Sequence, residues 1–222
     1  MNVLVISAHP DDETLGCGGT LLRHVAEGDQ IHWLIATEGH SPRWSKDVIA
    51  KKAKEVKSVA AAYSAKSVTK LGFPSARMES LPLEDVIDGI RSAVEKTRPK
   101  IVYLPHFGDV HTDHAVVSTA TMAILKSFYM KKCGVESVLA FETLSSTEAA
   151  PPYPYRAFVP NVFRDVTPYF ERKLKIMKMF NTEAQSELAP RAASAIRALA
   201  RFRGASVNVE YAEAFMLVRE LR

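Results

Sequence analysis

Val3-Leu4-Val5-Ile6-Ser7-Ala8-His9-Pro10-Asp11-Asp12-Glu13 is the stretch on which both fold and chemistry turn. Val3 to Ile6 is an unbroken apolar run rich in β-branched residues, the pattern of a strand buried on both faces, as in parallel sheets. The residues after it then lie at the C-terminal end of a first strand, where open α/β sheets bind ligands. His9, Asp11, Asp12 and Glu13 are costly to hold beside an apolar core unless something pairs with them. A divalent metal is the simplest such partner. His9 offers an imidazole nitrogen and Asp12, three residues on, a carboxylate oxygen, and both suit zinc. Asp11 is left over, and a carboxylate beside a metal-bound water is the usual general base. A purely structural account would make Asp11 or Asp12 the cap of a helix starting near Thr14.

Moving outward, Thr14 to Glu27 has helical spacing with Gly28 as its C-cap. Gly16-Cys17-Gly18-Gly19 lies too late for a dinucleotide fingerprint, and small residues for close helix approach are the better account. His24 is expected on the exposed or flanking face, without an evident partner. Ile31 to Ala36 reads as a second strand in which His32 is structural. The polar loop Thr37 to Pro42 follows, with His40 in it. Asp47 to Ala62 reads as a lysine-rich amphipathic helix, and Ser67 to Leu71 as a third strand broken by Gly72-Phe73-Pro74-Ser75. Leu83 to Lys96 is a helix with one apolar stripe, and Ile101 to Leu104 is a fourth buried strand. This alternation predicts an α/β fold with a Rossmann-like, mostly parallel twisted sheet flanked by helices on both faces.

The fourth strand runs into Pro105-His106-Phe107-Gly108-Asp109-Val110-His111-Thr112-Asp113-His114. Three histidines and two aspartates at a second strand end are hard to explain structurally. Together the two clusters supply enough ligands for an open catalytic zinc site plus acid/base groups. Beyond them, Ala115 to Met130 reads as one helix and Ser137 to Glu142 as a strand. Thr143 to Asp165 reads as a long loop forming a wall or lid over the site, with Asn161 near it. Thr167 to Met179 and Pro190 to Arg203 read as basic amphipathic helices whose arginines could bind phosphate on a substrate but read better as solvated faces, and Ala214 to Val218 is a last strand.

The chain has 222 residues and a net charge of +4. That length predicts one domain over residues 1–222. The charge permits an anionic substrate but does not point to nucleic acid. With no apolar run of 18 residues, stable membrane insertion is not expected. Met1-Asn2 leads straight into the first strand, leaving no room for a signal peptide. Cys17 and Cys133 are too few for a disulfide framework, so the expected compartment is the reducing cytoplasm.

Ala8-His9-Pro10-Asp11-Asp12-Glu13 together with His111-Thr112-Asp113-His114 resembles the LmbE-like (PIG-L) family of N-acetylglucosaminyl deacetylases. The stretch Glu142 to Glu148, Arg203-Gly204 and Glu210 to Phe215 carry the likeness further. The resemblance implies a Rossmann-like fold and a zinc-dependent amidase acting on a small-molecule N-acetylated amino sugar. It implies His9, Asp12 and His114 as ligands, Asp11 as general base, and His111 as the group assisting the leaving group or oxyanion. Asp113 is expected to orient one of the histidines. Substrate contacts are assigned to His40, Lys52, Arg77, Asp109 and Glu142. Lys52 stands where the family often has arginine, Ser75 where it often has aspartate, and Gly108-Asp109 departs from the thiol-pathway members. A homo-oligomer, trimer or hexamer, is compatible with this reading. The rival readings are a zinc hydrolase of another amide or ester, and a non-catalytic nucleotide- or sugar-binding module.

Overall fold

The computed structural model describes residues 1–183, 186 and 188–221. Its first strand, β1 (Asn2–Ser7), sends side chains alternately into two cores. Val3 and Val5 join Ile31, Trp33 and Tyr103 on one face. Leu4 and Ile6 join Leu34, Val102 and Leu104 on the other. That two-sided burial is why the run shows no polar alternation. β1 is flanked by β2 (Gln30–Glu38) and β4 (Ile101–Pro105), and the sheet order is β3-β2-β1-β4-β5-β7-β6. β3 spans Ser67–Pro74, β5 Ser137–Phe141, β6 Val162–Asp165 and β7 Ala212–Glu220. The first five strands pair in parallel, while β7 runs antiparallel to β5 and to β6.

Helices α1 (Asp12–Ala26), α2 (Lys46–Ala62), α6 (Phe170–Met177) and α7 (Ala193–Ala205) cover the face of Val3 and Val5. Helices α3 (Leu83–Thr97), α4 (Thr112–Ile124) and α5 (Ser127–Cys133) cover the other. The chain turns from β1 to β2 on one side and reaches β4 on the other, so the β1/β4 boundary is the switch point at which such sheets bind ligands. Both ligand-rich clusters follow those two strands.

The glycines of α1 allow the close approach expected of them. A Cβ on Gly16 would stand 2.2 Å from the Phe141 ring, and one on Gly19 2.7 Å from Val166 Cβ. The helix is kinked at Cys17 (φ −143°, ψ 19°).

Four expectations need correcting. His24 is buried and partnered: Asp29 Oδ2 lies 2.7 Å from its Nδ1 and the Tyr103 hydroxyl 3.0 Å from its Nε2. β3 does not stop at Leu71; Gly72 (φ 73°) lets it continue past a register shift to Pro74. The helix expected over Ala115 to Met130 is two, because the chain leaves helical geometry at Leu125 and α5 restarts after Lys126. The loop expected over residues 143–165 ends in β6, and Asn161 serves that edge by accepting from the Leu217 N–H at 2.8 Å.

Candidate metal centre and cleft

The turn after β1 and the start of α4 meet over the sheet edge. His9 Nδ1 and His114 Nε2 are 3.3 Å apart. Asp12 Oδ1 lies 3.2 Å from His114 Nε2, and Asp12 Oδ2 lies 3.7 Å from His9 Nδ1. Ligands held tetrahedrally about 2.0–2.1 Å from zinc stand about 3.3–3.4 Å from one another. Asp12 Oδ1 is buried without a hydrogen-bond partner among the described residues. An orphaned buried carboxylate oxygen is costly, and a cation held with the two imidazoles would satisfy it. The donor set therefore fits a divalent metal.

Each imidazole is oriented by its own carboxylate. His9 Nε2 donates to Asp113 Oδ2 at 2.9 Å, which leaves Nδ1 facing the cluster. Asp113 is fixed in turn by the backbone N–H groups of Ala76 (2.6 Å) and Met78 (3.1 Å). His114 Nδ1 lies 3.1 Å from Asp109 Oδ2, leaving Nε2 to the cluster. Asp109 accepts from the His111 N–H (2.8 Å), the Ser146 hydroxyl (2.8 Å) and the Thr147 hydroxyl (2.7 Å). Such outer carboxylates fix tautomer and raise ligand basicity.

Burial opposes charge throughout the centre, and the neighbours decide the outcome. His114 is disfavoured as a cation by burial, yet Asp12 and Asp109 push it up to about 10. Asp12, despite burial, is held well below the usual carboxylate range by His114 and His9. Asp109 is also lowered against burial, chiefly by the His114 imidazole 3.1 Å away, and Asp113 chiefly by its hydrogen bond from His9. A cluster this rich in carboxylate favours one more positive charge, proton or metal.

Asp11 stands beside these groups in a strained backbone, with φ 126° and ψ −25°. Positive φ in a non-glycine residue marks strain held by its surroundings. Its N–H donates to Glu13 Oε2 (3.1 Å), and its carbonyl accepts from the Thr14 (3.0 Å) and Leu15 (2.9 Å) N–H groups. Burial pushes the Asp11 carboxyl up to about 7, with Arg191 pulling it back and Asp12 adding to the rise. Burial likewise carries Glu13 up to about 8.

His111 packs against both imidazoles, 4.4 Å from the His9 ring and 5.0 Å from His114, nearly parallel to the latter. Its Nδ1 accepts the Asp113 N–H at 3.2 Å, so the ring proton is assigned to Nε2. Burial first, then His9 and His114, lower it to about 4. The ring is thus held neutral at pH values where a free imidazole would carry a proton.

The centre opens into a cleft of about 540 Å³, lined by His9, Asp11 and His111 at the chemistry. Ile35, Trp44, Ile49 and Val56 form its apolar wall, and Lys52, Glu183 and Arg191 its charged one. The volume is that of a small-molecule site. Of the side chains assigned to substrate, Lys52 lines the cleft. His40 stacks edge-on against Trp44 at 5.4 Å, and Arg77 is exposed at the start of the short turn over Met78–Ser80; neither lines it. Asp109 is buried behind His114, as above. Glu142 is locked to Arg203 by two contacts of 2.8 Å and lines a separate pocket of about 20 Å³, room for about one water. No residue of 143–165 lines the cleft; Ser146 and Thr147 support it from behind.

Sequence reasoning missed Arg191. Its Nη1 donates to Asp11 Oδ2 at 2.7 Å and to Glu183 Oε2 at 2.9 Å, and its Nε to Ser145 Oγ at 2.8 Å. Nothing in the sequence marks it out from the basic residues around it.

No helix among the described residues is long and apolar enough to cross a membrane. The chain is 29% identical over 182 residues to the uncharacterized deacetylase YaiS of Escherichia coli (strain K12), covering 79% of this chain and 88% of that one. It is 25% identical to a probable N-acetyl-alpha-D-glucosaminyl L-malate deacetylase 2 of Bacillus cereus, covering 84% and 86%. In structure it is similar to N,N'-diacetylchitobiose deacetylase from Pyrococcus horikoshii, solved with its inhibitor MPG, with a TM-score of 0.76, 20% identity, and coverage of 98% and 83%. Residues 4–125, from the first strand through the second ligand cluster and α4, match the family described as PIG-L: GlcNAc-PI de-N-acetylase, and the chain belongs to that family.

Proposed function

We propose that the protein is a zinc-dependent deacetylase that hydrolyses the acetamide of an N-acetylated amino sugar to the free amine and acetate. The observation that carries this reading is the orphaned Asp12 Oδ1 between His114 and His9, next to Asp11 and open to a cleft of about 540 Å³. Membership in a deacetylase family and the deacetylase activities of its relatives point the same way. His9, Asp12 and His114 would hold the metal. When bound, zinc supplies an activated water and a Lewis-acid pole for the acetyl carbonyl.

The chain's own residues do the rest. Asp11, raised toward neutrality by burial, takes a proton from the attacking water, the work of a general base whose pKa lies near the operating pH. The same carboxyl then gives that proton to the departing nitrogen. His111, neutral with its proton on Nε2, donates a hydrogen bond to the oxygen that becomes negative as water adds to the carbonyl carbon. Asp113 and Asp109 hold the two ligand imidazoles in the required tautomers. The apolar wall around Trp44 and Ile49 supports the sugar ring, with Lys52 at its polar edge. The two free cysteines, both buried, suit a reducing cytoplasm.

The test pairs metal content with amine and acetate release from a panel of free, nucleotide-linked and lipid-linked N-acetylhexosamines, run beside simple peptides and esters. About one zinc per chain and turnover of the acetamido sugars is the expected result. Turnover confined to esters or peptides would move the protein to the rival hydrolase class.

A further inference from the structure

We infer that Arg191 is the positioning residue of the general base: it fixes the Asp11 carboxylate for proton transfer and, through Glu183, ties it to α2. This rests on the reading of Asp11 given above.

Among the described residues the guanidinium makes directed bonds to three separate turns of the chain. Nη1 bridges Asp11 Oδ2 (2.7 Å) and Glu183 Oε2 (2.9 Å), and Nε holds Ser145 Oγ at 2.8 Å. A planar fork with fixed donors can define an orientation in a way an ammonium cannot. The side chain is only 17% exposed, so these bonds are little screened. Ser145 is itself in positive-φ backbone (φ 78°), and Glu183 also pairs with Lys52 of α2. One residue earlier, Thr182 donates to Glu55 of α2 through its N–H (3.3 Å) and hydroxyl (2.8 Å). The segment carrying Glu183 is thus latched to α2 at two points, and Arg191 carries that latch to the base.

Asp11 needs such a restraint. Its backbone is strained, and the main-chain bonds to Glu13, Thr14 and Leu15 hold its peptide groups but not its side chain. Arg191 engages Oδ2, which leaves Oδ1 as the oxygen that receives the proton. Without the guanidinium the carboxylate is free to rotate, and a displacement near 1 Å at a reacting group costs about 10²-fold in rate.

The experiment uses the full chain loaded with zinc and the best acetamido sugar of the panel. Arg191→Ala is expected to lower kcat by about 10²-fold with KM changed less than about threefold and zinc content unchanged. Added guanidinium chloride at millimolar concentration, against sodium chloride at equal ionic strength, should restore kcat saturably. It should do nothing for an Asp11→Asn, Arg191→Ala double variant. Arg191→Lys, which keeps charge but not the fork, should fall between wild type and Ala. A loss residing wholly in KM, or an absence of guanidinium rescue, overturns the assignment. If the wild type turns over no acetamide, the functional reading fails by itself, and the pair is then judged by urea unfolding. Shifts for Asp11→Asn and Arg191→Ala that are non-additive in the double variant support it; additive shifts overturn it.

Discussion

The loops after β1 and β4 keep their carboxylates and His114 almost wholly out of water, whereas the flank of the cleft lined by Lys52, Glu183 and Arg191 leaves its charges partly in it. Asp12, Asp109, Asp113 and His114 are each about 1% exposed or less. The side chains of Lys52, Glu183 and Arg191 are 23%, 28% and 17% exposed. In the first region each charge is worth a great deal and none can be removed singly without stranding another. In the second, solvent screens the Lys52–Glu183 pair and its losses are graded, while Arg191, reaching into the buried side at Asp11, is screened least. Chemistry that must be fixed sits in the buried loops, and contacts that differ from substrate to substrate sit in the flank. Substitutions across the cleft should therefore rank by region.

The largest effect belongs to the ligands. His114→Ala or His9→Ala should abolish both metal binding and turnover, because two donors do not hold a catalytic zinc. Elemental analysis after dialysis measures the first and acetate release the second. Zinc at wild-type stoichiometry in both variants would dismantle the centre as described. Next comes Asp11→Asn. The amide cannot accept a proton, so kcat should fall by about 10²–10⁴-fold with zinc retained. A variant near the wild-type rate would take the base role from Asp11.

How far this contrast is legible in the sequence follows from the same physics. The buried loops announce themselves, because ionisable residues at the ends of apolar strands need a partner, and the runs Val3–Ile6 and Ile101–Leu104 mark both strands. Asp113 could be expected behind a histidine from its chemistry, although which histidine (His9) depends on contacts 104 residues apart. Asp109, by contrast, reads from the sequence as a substrate contact, and only the packing of α4 puts it behind His114. Arg191 meets Asp11 across 180 residues, in a segment whose arginines have neither motif nor periodicity to separate them. His24 finds Tyr103 across 79 residues in the same unannounced way. The break at Leu125 escaped because the apolar content of residues 115–130 continues through it.

The two supporting carboxylates sharpen the comparison inside the buried region. Asp113→Asn and Asp109→Asn should each weaken zinc binding by about 10–100-fold, the usual effect of losing a carboxylate behind a ligand histidine. Asp113→Asn should act through His9 and Asp109→Asn through His114, so the double variant should be close to additive in free energy. Competition with a zinc chelator gives the affinities. A Kd unchanged in either variant would reduce that carboxylate to a packing role.

The charge balance of the centre sets its pH behaviour. His114 is raised above an ordinary imidazole to about 10 by Asp12 and Asp109, so in metal-stripped protein near neutrality it carries a proton that an incoming ion must expel. Zinc binding should therefore release about one proton, and affinity should rise by up to about tenfold per pH unit as far as that value. The sign for folding is opposite. With a folded-state pKa above the unfolded one, this contribution to stability is complete below about pH 6.5 and is lost as pH rises toward about 10. Metal-stripped protein should lose urea resistance across that window. Calorimetric titration in buffers of different ionisation enthalpy counts the protons, and a count of zero would mean that His114 is already neutral.

The smallest effect is expected where screening is greatest. Lys52 pairs with Glu183 and lies over the Phe180 ring at 5.8 Å, yet neither group touches Asp11 or the imidazoles in this arrangement. A partly exposed pair of this kind contributes about 0.2–1 kcal/mol before salt screens it further. Because 1.4 kcal/mol is tenfold in binding, Lys52→Ala should raise KM by no more than about fivefold. The kcat should hold, since the residue makes no contact with the groups that move protons. Its urea midpoint should shift little, and the shift should shrink at high salt as the pair is screened. Lys52→Arg, which restores the residue more usual at this position in the family, should leave KM near wild type if a cation at the cleft edge is all that is needed. Initial-rate kinetics on the three proteins at low and high salt decide the matter. A fall in kcat of tenfold or more for Lys52→Ala would mean that the latch through Glu183 governs the base itself, and the line drawn here between buried chemistry and screened flank would have to move to include α2.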